Sequence, residues 1–122
     1  MINKEGFWWS KTEPHLPKPI ALDYKWKGRA AFLKALRNVE ARIDNDKYRR
    51  CRVSHMKGWS NCRICEQKNG STEYNLTVLE STWEWPVGLL HYVERHNVRP
   101  SQSFIDFIMT VEAGSSKIKA KE

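Results

Sequence analysis

Two pairs of side chains in this sequence have the types and the spacing of a metal site. Cys62 and Cys65 form a C-x2-C pair, and His91 and His96 form an H-x4-H pair after twenty-five intervening residues. Thiolates and imidazoles bind zinc in a tetrahedron at bond lengths of about 2.0–2.3 Å, and four protein ligands leave no open position for water. Mixed Cys/His ligation favours zinc over iron. The sequence therefore predicts one structural Zn²⁺ held by these four residues.

The spacing of the two histidines does not fit a regular α-helix. Residues five apart on a regular α-helix differ in direction by about 140°, whereas residues four apart differ by about 40°. His91 and His96 therefore cannot both face one metal from a regular helix. Asn97 and Pro100 follow closely, and both residue types are common where helices end. We therefore expect a distorted last turn.

Other interpretations of the cysteines stay open. A C-x2-C pair also occurs in redox sites, although a turn signal follows Cys65 where thioredoxin-like sites have a strand–helix context. The two cysteines could also be buried without a chemical role. Cys51 and His55 are the substitutes if one of the four ligands is wrong, and His15 is interpreted as incidental.

The same region offers little for catalysis. In zinc peptidases the helical histidines lie four apart with a glutamate next to one of them, whereas here they lie five apart and Glu94 stands between them. A catalytic zinc also keeps an open position, which Cys62 and Cys65 would fill. We therefore predict no enzymatic activity and no catalytic residues, with a metal-dependent hydrolase as the alternative.

Charge is distributed unevenly along the chain. The net charge is +7, yet residues 25–63 contain twelve basic and three acidic residues, and residues 66–112 contain three basic and seven acidic ones. A concentrated basic surface attracts polyanions by releasing their counterions, although it can also be a solvated face. We predict that DNA or RNA is the partner, held at its phosphates by Lys47, Arg49, Arg50, Arg52, Lys57 and Arg63.

A protein-interaction or adaptor domain, such as an accessory protein of bacteria or phage, is the alternative function. Phe7, Trp8 and Trp9 are adjacent, and three large aromatic side chains are unfavourable in water. They are expected to dock onto the body of the protein, or else to contact a partner. Basic residues also bind acidic proteins, so charge alone does not separate the two functions. We expect no membrane partner and no small-molecule substrate.

Hydrophobic periodicity predicts the elements that must position these residues. Apolar side chains recur at helical spacing from Phe32 to Ile43, which predicts a helix over 27–44. Alternation of apolar and polar residues predicts strands, and Pro86 and Ser101 are favourable helix starts. The predicted strands cover 47–56, 72–79 and 82–85, with a turn at Glu80 and Ser81, and the other predicted helices cover 86–96 and 102–112.

These elements predict an α+β fold, in which about three helices pack on a short antiparallel sheet in a single small domain. We place the domain at 26–112, after an extended Pro-containing N-terminal arm, 1–25, and before a disordered tail, 113–122. Mean hydropathy is −0.69, and no run approaches the ~20 apolar residues of a membrane-spanning helix. The start lacks the apolar region of a secretory signal, so we expect a cytoplasmic location.

The order of C-x2-C, hairpin and helix with H-x4-H resembles the C2H2 zinc-finger family over about residues 59–97. The resemblance implies an embedded ββα unit with Cys62, Cys65, His91 and His96 as zinc ligands. Fingers place about 12 residues between the two pairs, and the longer spacer here is expected to enlarge the hairpin, so no DNA-reading position is carried over. The motifs W-S-N-C-R-I-C and W-E-W-P-V-G-L-L-H-Y are also similar to those of small uncharacterised bacterial or phage zinc-binding proteins.

Overall fold

Four short strands form one mixed sheet in the computed structural model, which describes residues 2–55 and 60–114. Their order across the sheet is β1-β4-β3-β2. Strand β2 pairs antiparallel with β3, β3 pairs antiparallel with β4, and β1 lies parallel to β4. The strands are β1 (Ile2–Lys4), β2 (Cys51–His55), β3 (Thr72–Val78) and β4 (Ser81–Pro86).

One face of this sheet is apolar and the other is polar, as the alternation along the strands predicts. In the β3–β4 pair, Tyr74 is opposite Trp85 and Leu76 is opposite Trp83, and all four side chains are buried. The indole rings of Trp83 and Trp85 lie 5.2 and 5.3 Å from the ring of Phe104. The apolar face is therefore covered by the helix that carries Phe104.

The polar face carries a row of side chains that meet at one carboxylate, here called the Glu84 row (Lys4, Arg52, Asn75 and Glu84). These residues are cross-strand neighbours on all four strands. Asn75 Nδ2 donates to Glu84 Oε2 at 2.9 Å, and Arg52 Nη2 lies 3.6 Å from the same oxygen. Lys4 Nζ lies 4.0 Å from Glu84 Oε1. One acidic side chain thus joins donors from three other strands.

Three helices complete the fold of the described residues, which confirms the predicted α+β class. They are α1 (Arg29–Asp44), α2 (Leu89–His96) and α3 (Gln102–Ala113). The apolar stripe of α1 is buried in the main core together with Phe104, Ile108 and Val111 of α3. Ser101 caps α3 as predicted, because its side chain accepts a hydrogen bond from the Phe104 N–H at 3.3 Å.

The predicted strand at 47–56 is wrong in its first half. Asp46 has a positive φ of 54°, and the Lys47 N–H donates to the Arg42 carbonyl at 2.8 Å. The chain therefore turns back directly after α1, and β2 begins only at Cys51. Residues 45–50, here called the basic loop, connect α1 to β2.

Two further boundaries differ from the sequence prediction. The β3–β4 turn is formed by Leu79 and Glu80, which both have positive φ (49° and 67°), so that Ser81 already belongs to β4. Pro86 is paired with Glu73 as the last residue of β4, and α2 therefore begins at Leu89 rather than at residue 86. At the other end of the chain, α3 continues to Ala113, and residues 115–122 of the predicted tail lie outside the described residues.

The N-terminal segment is more structured than the extended arm predicted for residues 1–25. Its start forms β1, and the Glu5 N–H continues the pairing by donating to the Glu84 carbonyl at 3.0 Å. Residues 5–25, called the arm from here on, then cross to the end of α2. There Asn97 Nδ2 donates to the carbonyls of Leu22 and Tyr24 at 2.9 and 2.6 Å. Across 2–55 and 60–114, no helix is long and apolar enough to cross a membrane.

A buried carboxyl group lies between α1 and the sheet. Glu40 is buried, and its Oε2 accepts a hydrogen bond from Trp85 Nε1 at 2.9 Å. Burial raises the pKa of Glu40 to about 8, with a smaller contribution from Asp44 and against the opposing effect of the Trp85 hydrogen bond. Glu40 is therefore protonated in the folded protein at neutral pH and ionised in the unfolded chain.

We expect the free energy of unfolding of Glu40→Gln, relative to that of the wild type, to increase as pH rises. Because the folded-state pKa lies above the ordinary value of 4.5, wild-type stability declines between about pH 4.5 and pH 8, by on the order of 1 kcal/mol per pH unit. Glutamine keeps an acceptor for Trp85 and does not titrate. Urea unfolding of both proteins at pH 5, 6, 7 and 8 measures the difference, and a difference independent of pH would contradict the assignment.

Candidate metal centre

The four predicted ligands converge on one point. The sulfurs of Cys62 and Cys65 and a ring nitrogen from each of His91 and His96 all lie within 4.8 Å of one another. His91 Nε2 is 3.4 Å from Cys65 Sγ and 3.2 Å from His96 Nε2. A zinc tetrahedron with bonds of about 2.0–2.3 Å has edges of about 3.3–3.8 Å. The two short distances are thus close to tetrahedral edges.

A tight turn supplies the two sulfurs. Cys62 Sγ accepts from the backbone N–H groups of Ile64 and Cys65 at 3.4 and 3.5 Å. The turn closes where the Cys62 N–H donates to the Gln67 carbonyl at 2.8 Å. Glu66 provides the required left-handed conformation, with φ at 62°.

The longer spacer does not enlarge the β3–β4 hairpin, contrary to the expectation from the finger resemblance. The cysteines lie on a hairpin of their own that precedes β3, here called the knuckle hairpin (residues 60–70). It is held by a bridge between Asn61 and Lys68 and by backbone hydrogen bonds from Ser60 to Gly70 and from Asn69 to Ser60. The additional spacer residues instead include β3 and β4, which stand between this ligand-bearing hairpin and α2 in the chain.

The last turn of α2 is distorted in the way the histidine spacing requires. The Asn97 N–H donates to the Tyr92 carbonyl, five residues earlier, and Asn97 adopts a left-handed conformation with φ at 54°. A bond between residues five apart belongs to the wider π-type turn, which brings such residues onto one side of the helix. The rings of His91 and His96 consequently lie 4.9 Å apart. The predicted distortion is confirmed.

The electrostatics of the site favour a metal-binding state. Burial lowers the pKa of His91, and the neighbouring His96 and Arg95 lower it further. The ring of His91 is therefore neutral at physiological pH, which is the form that coordinates a metal. Cys62 is buried, the two histidines are half-buried and Cys65 is exposed. A metal ion can thus enter from the side of Cys65.

The substitute ligands lie elsewhere. Cys51 Sγ, on β2, lies 3.5 Å from the Tyr48 carbonyl, and His55 Nδ1 lies 3.3 Å from Thr72 Oγ1. Neither joins the four-residue cluster, and His15 does not join it either. Glu94, the carboxylate considered for catalysis, pairs with Arg37 on α1 and is not part of the cluster.

The described residues that are predicted to bind nucleic acid lie on the basic loop, on β2 and on the knuckle hairpin. Lys47, Arg49 and Arg50 are exposed on the basic loop, whereas Arg52 belongs to the Glu84 row and Lys57 lies outside the described residues. Helix α1 separates the basic loop from the metal centre. Arg29, at its first residue, donates to the Val93 and Glu94 carbonyls of α2 at 3.2 and 2.8 Å, and the loop follows its last residue, about 24 Å away.

Arg63, the sixth of these residues, contacts the arm. Its Nε donates to the Trp9 carbonyl at 2.6 Å, and its guanidinium also donates to Ser60 Oγ at 3.3 Å and to the Asn61 carbonyl. Its backbone N–H donates to Tyr92 Oη at 2.7 Å. Sequence reasoning missed this role because a basic residue between two cysteines gives no signal for a partner fifty-four positions earlier.

The aromatic start of the arm docks onto the metal centre, as one of the two interpretations of Phe7, Trp8 and Trp9 predicted. The ring of Trp8 lies 5.8 Å from that of Tyr92 in an edge-to-face arrangement. Trp8 packs on a small buried cluster of Cys62, Tyr92 and Val98 and also on the main core. Burial also raises the pKa of Tyr92 to about 12, so its phenol stays protonated.

Comparison with known proteins gives a family and no function. The model of a family described as a domain of unknown function (DUF7919) matches residues 25–109. The matched segment contains all four candidate ligands and leaves out β1 and nearly all of the arm. Neither a search of curated proteins nor a search of solved structures found a match.

We expect Arg63→Met to loosen the arm without removing the metal ligands. The substitution deletes the side-chain hydrogen bonds to the Trp9 and Asn61 carbonyls. If the closed arm is thereby destabilised by about 1 kcal/mol, the fraction of molecules with an open arm rises about five-fold. Limited trypsin cleavage after Lys11, in the arm, measures this. Lys68→Met, on the same hairpin, is the matched control, and equal cleavage of the two variants would contradict the anchoring role.

Proposed function

This chain belongs to the DUF7919 family, and we propose that it is a non-enzymatic zinc-binding module with one structural Zn²⁺. The observation that carries the proposal is the convergence of four ligand atoms from the knuckle hairpin and α2 to within 4.8 Å. Two cysteine sulfurs and two imidazole nitrogens suit zinc, and four protein ligands close its coordination shell. The closed shell supports a structural role for the ion.

The metal would join parts of the chain that share little apolar contact. The small buried cluster beside the ligands consists of Cys62, Tyr92 and Val98, with Trp8 packed against it. So few apolar side chains contribute only a small part of the stability that the main core provides. Zinc binding, at apparent free energies on the order of 10 kcal/mol in finger peptides, would be the main interaction that holds the knuckle hairpin to α2.

We propose nucleic acid as the partner of the basic loop. Lys47, Arg49 and Arg50 are exposed and have no acidic partner among the described residues. Three unpaired cations within four positions can each contact a phosphate without reading the base sequence. The finger resemblance supports the same class of partner.

Zinc thiolates persist in a reducing compartment, so we also propose a cytoplasmic location.

A protein-interaction role is the second candidate. It is favoured by the docked arm, which encloses a cleft against the knuckle hairpin. The cleft lies at the metal end of the molecule, whereas the basic loop lies at the other end of α1. The two roles therefore use different surfaces and can be tested separately.

Elemental analysis of the purified protein tests the metal. We expect one equivalent of zinc in the wild type and less than about 0.1 equivalent in Cys62→Ser and His96→Ala, because each variant leaves three ligands and opens the shell. Cys51→Ser is the matched control and should retain one equivalent. Well-folded wild-type protein without metal, or variants that keep a full equivalent, would refute the proposal.

Salt-dependent binding tests the basic loop. We expect a fluorescent single-stranded or duplex DNA, or an RNA, to bind at low salt with a linear fall of log K against log salt concentration. The double variant Arg49→Glu/Arg50→Glu should weaken binding at least ten-fold and reduce the slope by about two. Lys25→Glu/Lys27→Glu has the same net charge and alters the opposite end of α1. If both variants weaken binding equally, the basic loop is not the interface.

A further inference from the structure

The arm and the knuckle hairpin enclose a cleft of about 620 Å³. One wall is formed by arm residues 6–13 and Leu16, the other by residues of the knuckle hairpin and the start of β3, and Pro86, Gly88 and Tyr92 lie between them. This volume is within the range of about 300–1,000 Å³ that is typical of ligand sites. The cleft borders the metal centre through Tyr92 but contains none of the four ligands.

Hydrogen bonds define the arm wall of this cleft. The Trp9 N–H donates to the Pro17 carbonyl at 2.8 Å, and the Glu13 N–H donates to Ser10 Oγ at 3.1 Å. Arg63 then ties the Trp9 carbonyl to the knuckle hairpin. The wall is therefore a closed loop with a fixed attachment rather than a free chain end.

Two carboxylates line the cleft from opposite walls. Glu13 belongs to the arm and Glu73 to β3. Glu73 is half-buried, and its carboxylate has neither a hydrogen bond nor an ion pair with any described residue. Burial raises the pKa of Glu73, Glu84 and Glu13 add to this effect, and Lys4 opposes it. A partly desolvated carboxylate without a partner is unfavourable, and a cationic donor in the cleft would compensate it.

The aromatic side chains of the same wall are arranged to accept cations. Lys18 Nζ lies 5.0 Å from the ring of Trp9, and Lys4 Nζ lies 5.7 Å from the ring of Phe7. Both distances are within the range of cation–π attraction. The chain's own lysines thus already contact these rings, next to two carboxylates that have no side-chain partner among the described residues.

The cleft offers little to an anion. Its basic residues are Lys11 and Arg63, and the Arg63 guanidinium is engaged by the Trp9 carbonyl and two further oxygens of the knuckle hairpin. Hydroxyl and amide groups of Ser60, Asn61 and Asn69 add neutral hydrogen-bonding sites, which suit the backbone of a peptide better than a small amine.

We propose that this cleft binds a basic segment of a partner protein, with a lysine or arginine side chain held between Glu13 and Glu73 and its aliphatic part against the aromatic side chains of the arm. This site is separate from the basic loop and takes a ligand of opposite charge. It goes beyond the structural role of zinc, because the metal fixes only one wall through the knuckle hairpin.

Calorimetric titration of the zinc-loaded full chain with end-blocked tetra-lysine and tetra-arginine peptides tests the proposal. We expect both peptides to bind and tetra-glutamate not to bind. Glu73→Gln and Glu13→Gln should each weaken binding by about five-fold or more, since each removes one carboxylate from the cation. Glu80→Gln, at the exposed β3–β4 turn, removes the same charge away from the cleft and should change affinity by less than about two-fold.

Zinc content is measured on every sample, so that failure of the cleft and failure of the metal site are distinguishable. Absence of tetra-lysine binding by protein that contains one equivalent of zinc overturns the cleft proposal and leaves the metal proposal intact. Equal weakening by Glu80→Gln and Glu73→Gln also overturns it, because binding would then follow net charge alone. If Glu73→Gln does not fold, the exposed Glu13→Gln gives the decisive comparison.

Discussion

The hydrogen bond from the Asn97 N–H to the Tyr92 carbonyl is the interaction on which the candidate site depends. It widens the last turn of α2 and brings His91 and His96 together. The left-handed conformation at Asn97, which asparagine tolerates better than most residues, then directs Val98 into its bridge with Ala21. One residue therefore ends the helix, aligns two ligands and, through its side chain, holds the arm.

The molecule has two regions with different sources of stability. Helices α1 and α3 and the apolar face of the sheet share one large core, in which Trp85 and Phe104 are fully buried. The metal end has only a small cluster around Cys62 and Tyr92 and relies on polar contacts such as those of Arg63. The candidate metal centre and the cleft, which lie at this end, are thus supported by directional interactions more than by apolar packing.

The sequence was sufficient for the fold class, the four-residue group that could hold a metal and the distorted helix end, because each follows from spacing within one element or from a strong residue signature. The sequence was insufficient where contacts between residues that are remote in sequence determine the structure. Strand β1 has three residues and exists only through its parallel pairing with β4, which no local pattern encodes. The strand predicted from residue 47 failed because Asp46 reverses the chain in a conformation unusual for a non-glycine residue. The contact of Arg63 with the arm could not be predicted because its partner, Trp9, is remote in sequence.

The Glu84 row has a consequence for how this small sheet selects its pairing. Side chains alternate between faces, so a slip of any strand by one residue would move its member of the row to the apolar side. If β1, β2 or β3 slipped, its own member of the row (Lys4, Arg52 or Asn75) would lose its contact with the Glu84 carboxylate. That polar side chain would then face the tryptophans of the core. The contacts with Glu84 therefore favour the observed register of the three other strands. This includes the short β1, whose three residues could otherwise pair with β4 in several ways.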